Sequence, residues 1–435
     1  MRVIEDIMTA LIFALLGIFL AASIPIFMSL ALVAIIIFFF YSSIPMEILP
    51  QRMFAGVEGF ALLAIPFFIL AADLMGRGGV TSRLIRFVNT LVGHFPGGLG
   101  ICTVMTCLLF GAITGSSAST VIAVGGILYP ALLKSGYDIK FTLGVVTCSA
   151  LLGMIIPPSN AMIVYGSVSK VSVGALFMAG FGAGIVFALN YAIYCYFYAK
   201  KKNIPLQPKA SWKEVKQAGR DALWGLGIPF IILGGIYSGV FTPTESAAVA
   251  VAYAMFVTRF VYRELSFGDI WNISLDSATI TARVLIMVAA ATLFSWLLTV
   301  QGVTSSIVEP VVAMNPPYWA VLGFANLTML IAGMFVDVFS NILILCPLLL
   351  RLMEPAGISE LHFGIVATVN SDMGNITPPF GLNLFVASGA FKRSYVEVCQ
   401  AIVPWLAIAI VSLMIITYVP EISLWLPKQL YPGIK

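Results

Sequence analysis

Four hydroxyl side chains, Ser116, Ser117, Ser119 and Thr120, follow Gly115 directly, inside sequence that is otherwise apolar. A turn of this kind offers hydroxyl oxygens together with carbonyls freed from the helix. Further on, Ile156-Pro157-Pro158-Ser159-Asn160 places two residues without a backbone donor in succession, so the preceding helix must end there and a new one must begin. Both features return later in the chain. Gly333-Met334-Phe335-Val336-Asp337 leads through Ser340-Asn341, and Thr377-Pro378-Pro379 leads to Asn383. Carbonyl ends of interrupted helices, joined by Ser, Thr and Asn oxygens, suit a small hard cation such as Na+. The amide ends suit an anionic group on a cargo. A set of oxygens free of sulfur argues against a transition metal.

These elements form a repeat. Gly144-Val145-Val146 precedes the first double proline as Gly364-Ile365-Val366 precedes the second, and Gly166 and Gly389 each stand six positions beyond Asn160 and Asn383. Paired interruptions at matching places in two halves point to the binding site of a transporter. The first hydroxyl-rich turn reads as the tip of a re-entrant helical hairpin. Its counterpart, built from Tyr318 to Met353, has its tip at Asp337, Ser340 and Asn341.

Composition sets the environment. Of 435 residues, 60% are hydrophobic and 10% charged, with a mean hydropathy of +1.03, so the chain must be an all-α polytopic membrane protein. Apolar runs recur from Thr9 to Tyr41, the first one, through to Ile402–Val419, and the first is too long for the core of a cleaved signal peptide. It is either one tilted helix or a pair bent at Pro25. Net charge is only +4, but Arg77, Arg83 and Arg86, then Lys134 and Lys140, then the basic stretch from Lys200 to Arg220 mark cytoplasmic loops. Loops such as Gln301–Pro316 and Glu354–His362 hold no Lys or Arg and face outward. The link between the two interruptions therefore lies inside in the first repeat and outside in the second, so the repeats are inverted. The expected division is scaffold helices in 1–92, a first transport repeat in 93–172, scaffold with a basic loop at 200–222 in 173–316, a second transport repeat in 317–395, and a C-terminal scaffold helix with tail in 396–435.

Other residues suggest simpler roles. The six cysteines stand singly, as small buried residues would. His94 and His362 fall at membrane boundaries, and Trp319, Trp405 and Trp425 read as interfacial belts. Thr242-Pro243-Thr244-Glu245 reads as a capped helix start. The stretch around Trp212-Lys213-Glu214-Val215-Lys216 reads as an amphipathic helix on the inner leaflet, in contact with the lipid bilayer and not with nucleic acid.

Longer strings carry a resemblance. Gln51-Arg52-Met53-Phe54-Ala55-Gly56, Leu63-Ala64-Ile65-Pro66-Phe67-Phe68, Phe241-Thr242-Pro243-Thr244-Glu245 and Thr377-Pro378-Pro379-Phe380-Gly381-Leu382-Asn383-Leu384-Phe385 resemble the large membrane (M) subunit of the tripartite ATP-independent periplasmic (TRAP) transporters, over nearly the whole chain. The resemblance implies a multi-pass protein of the bacterial inner membrane, of the ion-transporter superfamily, moving as an elevator. It implies a small four-helix TRAP membrane subunit and a soluble periplasmic substrate-binding protein as partners. Na+ would be the coupling ion, and the cargo a small organic acid of the C4-dicarboxylate or sialic acid class.

The ligand sets follow from the same likeness. For Na+ they are Ser117, Ser119, Thr120, Gly153, Pro157 and Asn160 in the first repeat. Gly333, Asp337, Ser340, Asn341, Gly374, Thr377, Pro378 and Asn383 serve in the second. For the cargo they are Ser116, Ser117, Ser159, Asn160, Asp372, Asn375, Thr377 and Asn383. The chain departs from the family where an acid usually stands at the first tip, near Ser119-Thr120. It departs again at Ser371-Asp372-Met373-Gly374-Asn375, where the approach to the double proline is usually apolar.

Competing readings fit less well. No GxxxxGK[ST] loop is present, so the chain does not hydrolyse nucleotide. No HExxH, GxGD-type aspartate pair or Ser/His couple supports an intramembrane enzyme. Proton coupling through Asp337 or Asp372, in a related or stand-alone anion symporter, is the alternative within transport.

Overall fold

A computed structural model describes residues 2–314 and 316–430, and among them the chain is helical throughout, without strands. The N-terminal run is a pair and not one rod: α1 (Arg2–Ala21) stops where Ser23 takes a left-handed backbone, and α2 (Ile26–Tyr41) restarts after Pro25. Then come α3 (Ile48–Val57), α4 (Ala64–Arg77) and the amphipathic α5 (Val80–Val92). A first antiparallel pair follows, α6 (Gly98–Thr114) and α7 (Ser117–Lys134). After it comes a broken segment made of α8 (Ile139–Ser149), α9 (Leu152–Ile155) and α10 (Asn160–Ser169). Long helices α11 (Val173–Lys202), α12 (Trp212–Tyr237), α13 (Pro243–Phe256) and α14 (Phe267–Val300) occupy the middle. Next is α15 (Val303–Ala313), then a second pair, α16 (Tyr318–Gly333) and α17 (Val338–Met353). A second broken segment, α18 (Glu360–Gly374) and α19 (Leu382–Phe391), leads to α20 (Tyr395–Tyr418) and α21 (Glu421–Leu430).

By length and composition six of these helices can cross a membrane, seven if the pair bent by 42° around Pro157-Pro158 is one span. The arms of the two hairpins have 16 to 18 residues. At 1.5 Å per residue they reach about 24–27 Å, against a hydrocarbon layer of roughly 30 Å, and of the four arms only α7, the longest, is among the six.

Helix α20 serves as a ruler for where the hairpins open. Lys140, just past α7, reaches Gln400 near the start of α20 at 3.3 Å. Trp319, at the start of α16, accepts from Tyr418 at the other end of α20, and His362, just past α17, lies 3.0 Å from the Thr417 carbonyl. The links at the open ends of the two hairpins thus sit at opposite ends of one 24-residue helix.

The two units also exchange partners. Helix α7 packs on α19 and α17 packs on α10. In the first of these contacts Tyr129 stacks on Phe391, ring centroids 4.6 Å apart, and Arg393 donates to the Tyr129 hydroxyl. Around them, α14 lies against α2, α3, α4 and α17, and α4 lies against α13.

Three expectations need correction. Trp405 is no interfacial belt residue: it is 0% exposed, wedged against Gly144 among Phe141, Tyr191 and Tyr194. Trp319 and Trp425 are exposed as expected. His362 is buried at 2% exposure, because the end of α20 closes over it. The basic stretch makes no separate surface helix, since Trp212 opens the same 26-residue α12 that continues into the apolar run, entered through a Ser211–Glu214 capping box. Thr242 and Glu245 form the expected cap of α13.

Candidate functional site

The first tip is built by Gly115. Its φ of +58° ends α6 in a conformation that favours glycine, and an added Cβ would lie 2.6 Å from the Pro158 carbonyl. The hairpin tip therefore rests on the double-proline break of its own repeat. Ser116 then caps α7 by accepting from the Ser119 amide, and Thr120 Oγ1 donates back to the Ser116 carbonyl at 2.8 Å. Gly153 lets α9 close on this turn, since a Cβ there would meet Thr120 Oγ1 and the Ser116 carbonyl.

The second unit uses the same device. Gly333 and Gly374 meet backbone to backbone, a Cβ on Gly374 falling 2.5 Å from the Gly333 carbonyl. Asp337 caps α17, accepting from the Phe339 and Ser340 amides at 2.9 and 3.0 Å, and Ser340 donates to its other oxygen. Asn341 donates to the Met329 carbonyl and to Ser371. In both breaks the Pro-Pro bond is cis.

One contact joins the two halves. Ser117 Oγ donates to Asp372 Oδ1 at 2.7 Å, and Asn375 Nδ2 donates to the same oxygen at 3.0 Å. Asp372 is 0% exposed, and its second oxygen has no partner. Asn160 Oδ1, Asn341 Oδ1 and both amide atoms of Asn383 are likewise buried without partners. Buried polar atoms of this kind are usually satisfied by a water, an ion or a bound group where no side chain reaches them.

A cavity of about 110 Å³ opens beside this contact. Ser116, Ser117, Ser119, Asn160, Asp337 and Asn375 line it from the repeats. The other cargo candidates lie behind its wall: Ser159 caps α10 through the Met162 amide, Thr377 donates to the Met373 carbonyl, and Asp372 and Asn383 are fully enclosed. The N-terminus of α10 is therefore capped, where the sequence suggested an open amide end. Among the cation candidates, Thr120, Gly153, Gly333, Gly374, Ser340 and Asn341 form the packing under the two tips, and Pro157 and Pro378 form the breaks. Sulfur is present after all: Ser340 Oγ also contacts Met287 Sδ at 2.7 Å, and Met154 lines the cavity.

Sequence reasoning missed the facing wall. Asp73, held by Ser277 at 2.7 Å, and Ile280 and Val284 of α14 close the cavity from the surrounding helices. Asp73 had a visible signal, being an acid inside the apolar run from Phe60 to Met75. Neither Lys, Arg nor His lines the cavity.

Known proteins match the sequence over nearly its whole length. Residues 13–422 fit the family model "Tripartite ATP-independent periplasmic transporter, DctM component". The chain belongs to the DctM family. This TRAP large permease is thus a transporter subunit of the bacterial inner membrane. It is 40% identical to the C4-dicarboxylate TRAP transporter large permease protein DctM of Rhodobacter capsulatus, over 97% of this chain and 99% of that one. It is 41% identical to the ectoine TRAP transporter large permease protein TeaC of Halomonas elongata, over 92% and 95%. Among solved structures, the permease shares its fold with the YdaH transporter of Alcanivorax borkumensis, with a TM-score of 0.65 at 13% identity, covering 89% of this chain and 91% of that one.

Proposed function

We propose that this permease carries out Na+-coupled, elevator-type uptake of a small organic acid, of the C4-dicarboxylate or a related class. A periplasmic binding protein delivers the cargo, and a small four-helix membrane subunit completes the complex. The two hairpin-and-break units form one inverted-repeat transport body, and the remaining long helices form the scaffold. Hairpin ends at opposite ends of α20 support the inversion, as do the exchanged contacts of α7 with α19 and of α10 with α17. The C4-dicarboxylate class comes from the relatives. Relatives of near-equal identity are named for a dicarboxylate and for ectoine, so the choice of cargo rests on side chains at the cavity and not on overall similarity.

One observation carries the coupling: the Ser117–Asp372–Asn375 contact joins the tip of the first repeat to the break of the second, beside the unpartnered oxygens of Asn160 and Asp372. Oxygens aimed inward without donors fit a Na+ ion. Because both repeats supply the contact, ion binding would hold them in one arrangement around the cargo. Hydroxyl and Asn side chains would hold the acid, since the cavity has no cationic side chain and the first turns of α7, α10 and α17 are capped.

The test is uptake into proteoliposomes containing the reconstituted permease and its partners. A Na+ gradient should drive accumulation, and Ser117→Ala, Asn160→Ala, Ser340→Ala or Asn383→Ala should raise the Na+ concentration needed by about tenfold or more. Unaltered Na+ dependence in all four rejects the assignment. Asp372, enclosed with one oxygen unpaired, favours a second reading in which a proton replaces Na+. Accumulation from Na+-free buffer under a pH gradient, lost in Asp372→Asn, would establish that reading instead.

A further inference from the structure

Away from the transport cavity, a second polar hollow of about 560 Å³ opens between α5, α12 and the turn after α13. Its floor is fixed by Tyr262, whose hydroxyl donates to the Asp221 carbonyl at 2.7 Å and accepts from the Gly225 amide at 3.2 Å. Arg83 lies over the Tyr262 ring, 4.0 Å from its centre, and pairs with Glu264 at 3.0 Å. Arg86 reaches Asp221 only at 3.5 Å, and Arg220 has no partner. Asp221 and Glu264 line the hollow and Glu214 of α12 lies within electrostatic reach of Arg86, so the guanidinium left without an ion-pair partner is that of Arg220.

The depth of this hollow is set by the sequence of α12. Lys213, Lys216 and Arg220 are exposed at helical spacing, on the side assigned to the cytoplasm by its excess of Lys and Arg. One turn on, Leu223 and Trp224 are exposed, and Phe230 further along is 75% exposed, as in a helix facing acyl chains. The hollow therefore sits at the headgroup level of the inner leaflet, with apolar surface directly beneath it.

We infer that this hollow is a binding site for the phosphodiester headgroup of an anionic phospholipid of the inner leaflet. Arg86 and Arg220 bind the phosphate, and the acyl chains descend along Leu223 and Trp224. Two guanidiniums with spare donors suit a phosphate oxygen pair, and a basic hollow between spans on the cytoplasmic side is where anionic headgroups collect. A zwitterionic lipid adds a cation that the lone Arg220 repels.

The site has a bearing on transport. Helix α5 is the only segment that links α4 to the first hairpin, between Gly79 and Gly97, both at φ +78°. A lipid bridging α5 and α12 would fasten that link to the neighbouring helix. This consequence rests on the elevator reading, but the binding does not.

Native mass spectrometry of the purified full-length permease, titrated with phosphatidylglycerol or phosphatidylcholine, measures the site directly. Wild type should retain phosphatidylglycerol at least fivefold more than phosphatidylcholine, and Arg86→Gln/Arg220→Gln should lose that preference. Lys200→Gln, a charge removed from the end of α11, should keep it. Arg220→Lys alone should retain part of it, which guards against a folding defect in the double variant. Equal retention of both lipids, or an unchanged preference in Arg86→Gln/Arg220→Gln, overturns the proposal. So does equal protection by inorganic phosphate at the same concentration, which would assign the hollow to a soluble anion. None of these readouts involves uptake, so failure of the transport reading leaves them standing.

Discussion

At the residue scale the decisive pair is Ser117 with Asp372. Resemblance to the TRAP family marks two departures, a missing acid at the first tip and a polar approach to the second double proline. The structure joins the first tip to this polar approach, for Asp372 accepts a hydrogen bond from the Ser117 hydroxyl at 2.7 Å. Since removing one partner of a buried hydrogen bond costs about 1–3 kcal/mol, Ser117→Ala should lower the stability of the purified permease by about that much. A double-mutant cycle with Asp372→Asn should show a coupling of about 1 kcal/mol or more in denaturant unfolding. Additive effects would mean that the two side chains do not act together.

A second residue-scale prediction concerns pH. Asp138, in the cytoplasmic link, accepts from Tyr198 at 2.6 Å and pairs with Lys202 at 3.2 Å, and these contacts hold its carboxyl below the ordinary 3.8. A lowered folded-state value means that the stabilisation is complete above pH 3.8 and disappears as pH falls through the lowered value. Asp138→Asn should therefore unfold earlier than wild type at pH 7, and the two midpoints should converge as pH falls below the lowered value. A gap that persists in acid would show that the charge is not the cause.

At the element scale, glycine decides how closely hairpins and breaks approach. An added Cβ on Gly374 would lie 2.5 Å from the Gly333 carbonyl, against backbone that has no rotamer to yield. Overpacking of this kind costs about 1–3 kcal/mol, so Gly374→Ala should abolish uptake and lower the unfolding midpoint. Gly126→Ala, in α7 with nothing within 4 Å, should leave uptake intact and gain a few tenths of a kcal/mol from helix propensity. Equal loss in both would point to general intolerance of the hairpins instead of contact at the tip. These breaks were legible beforehand because proline and glycine act locally: Pro157-Pro158 and Pro378-Pro379 end a helix whatever surrounds them. Trp405, His362 and Asp73 were not legible in the same way. Trp405 is enclosed by α8 and α11, His362 by α20, and Asp73 by α14, all distant in sequence, and no periodicity within their own segments records which helix will cover them. The continuation of Trp212 into a long span also escaped a local reading, because the capping box marks where α12 starts and not how far it runs.

At the scale of the whole molecule, the question is whether the two repeats move against the long helices as one body. Asp73 and Val284 face Ser116, Asn160 and Asp337 across the cavity, so the lining of the site comes from both parts. Any relative sliding must part these walls. The contact best placed to test this is Ser340 of the second tip with Met287 of α14, where hydroxyl and sulfur lie 2.7 Å apart. Five of the six native cysteines are buried and all are free, which leaves little background for an engineered pair. In Met287→Cys/Ser340→Cys, oxidation should form a bridge that stops Na+-driven uptake at least tenfold, and a reductant should restore it. Each single variant, assayed at saturating Na+, should show the same uptake under oxidant as under reductant, which separates immobilisation from the loss of either side chain. If the bridged permease still transports at the reduced rate, the second tip does not leave α14 during the cycle, and a moving body that includes both repeats is ruled out.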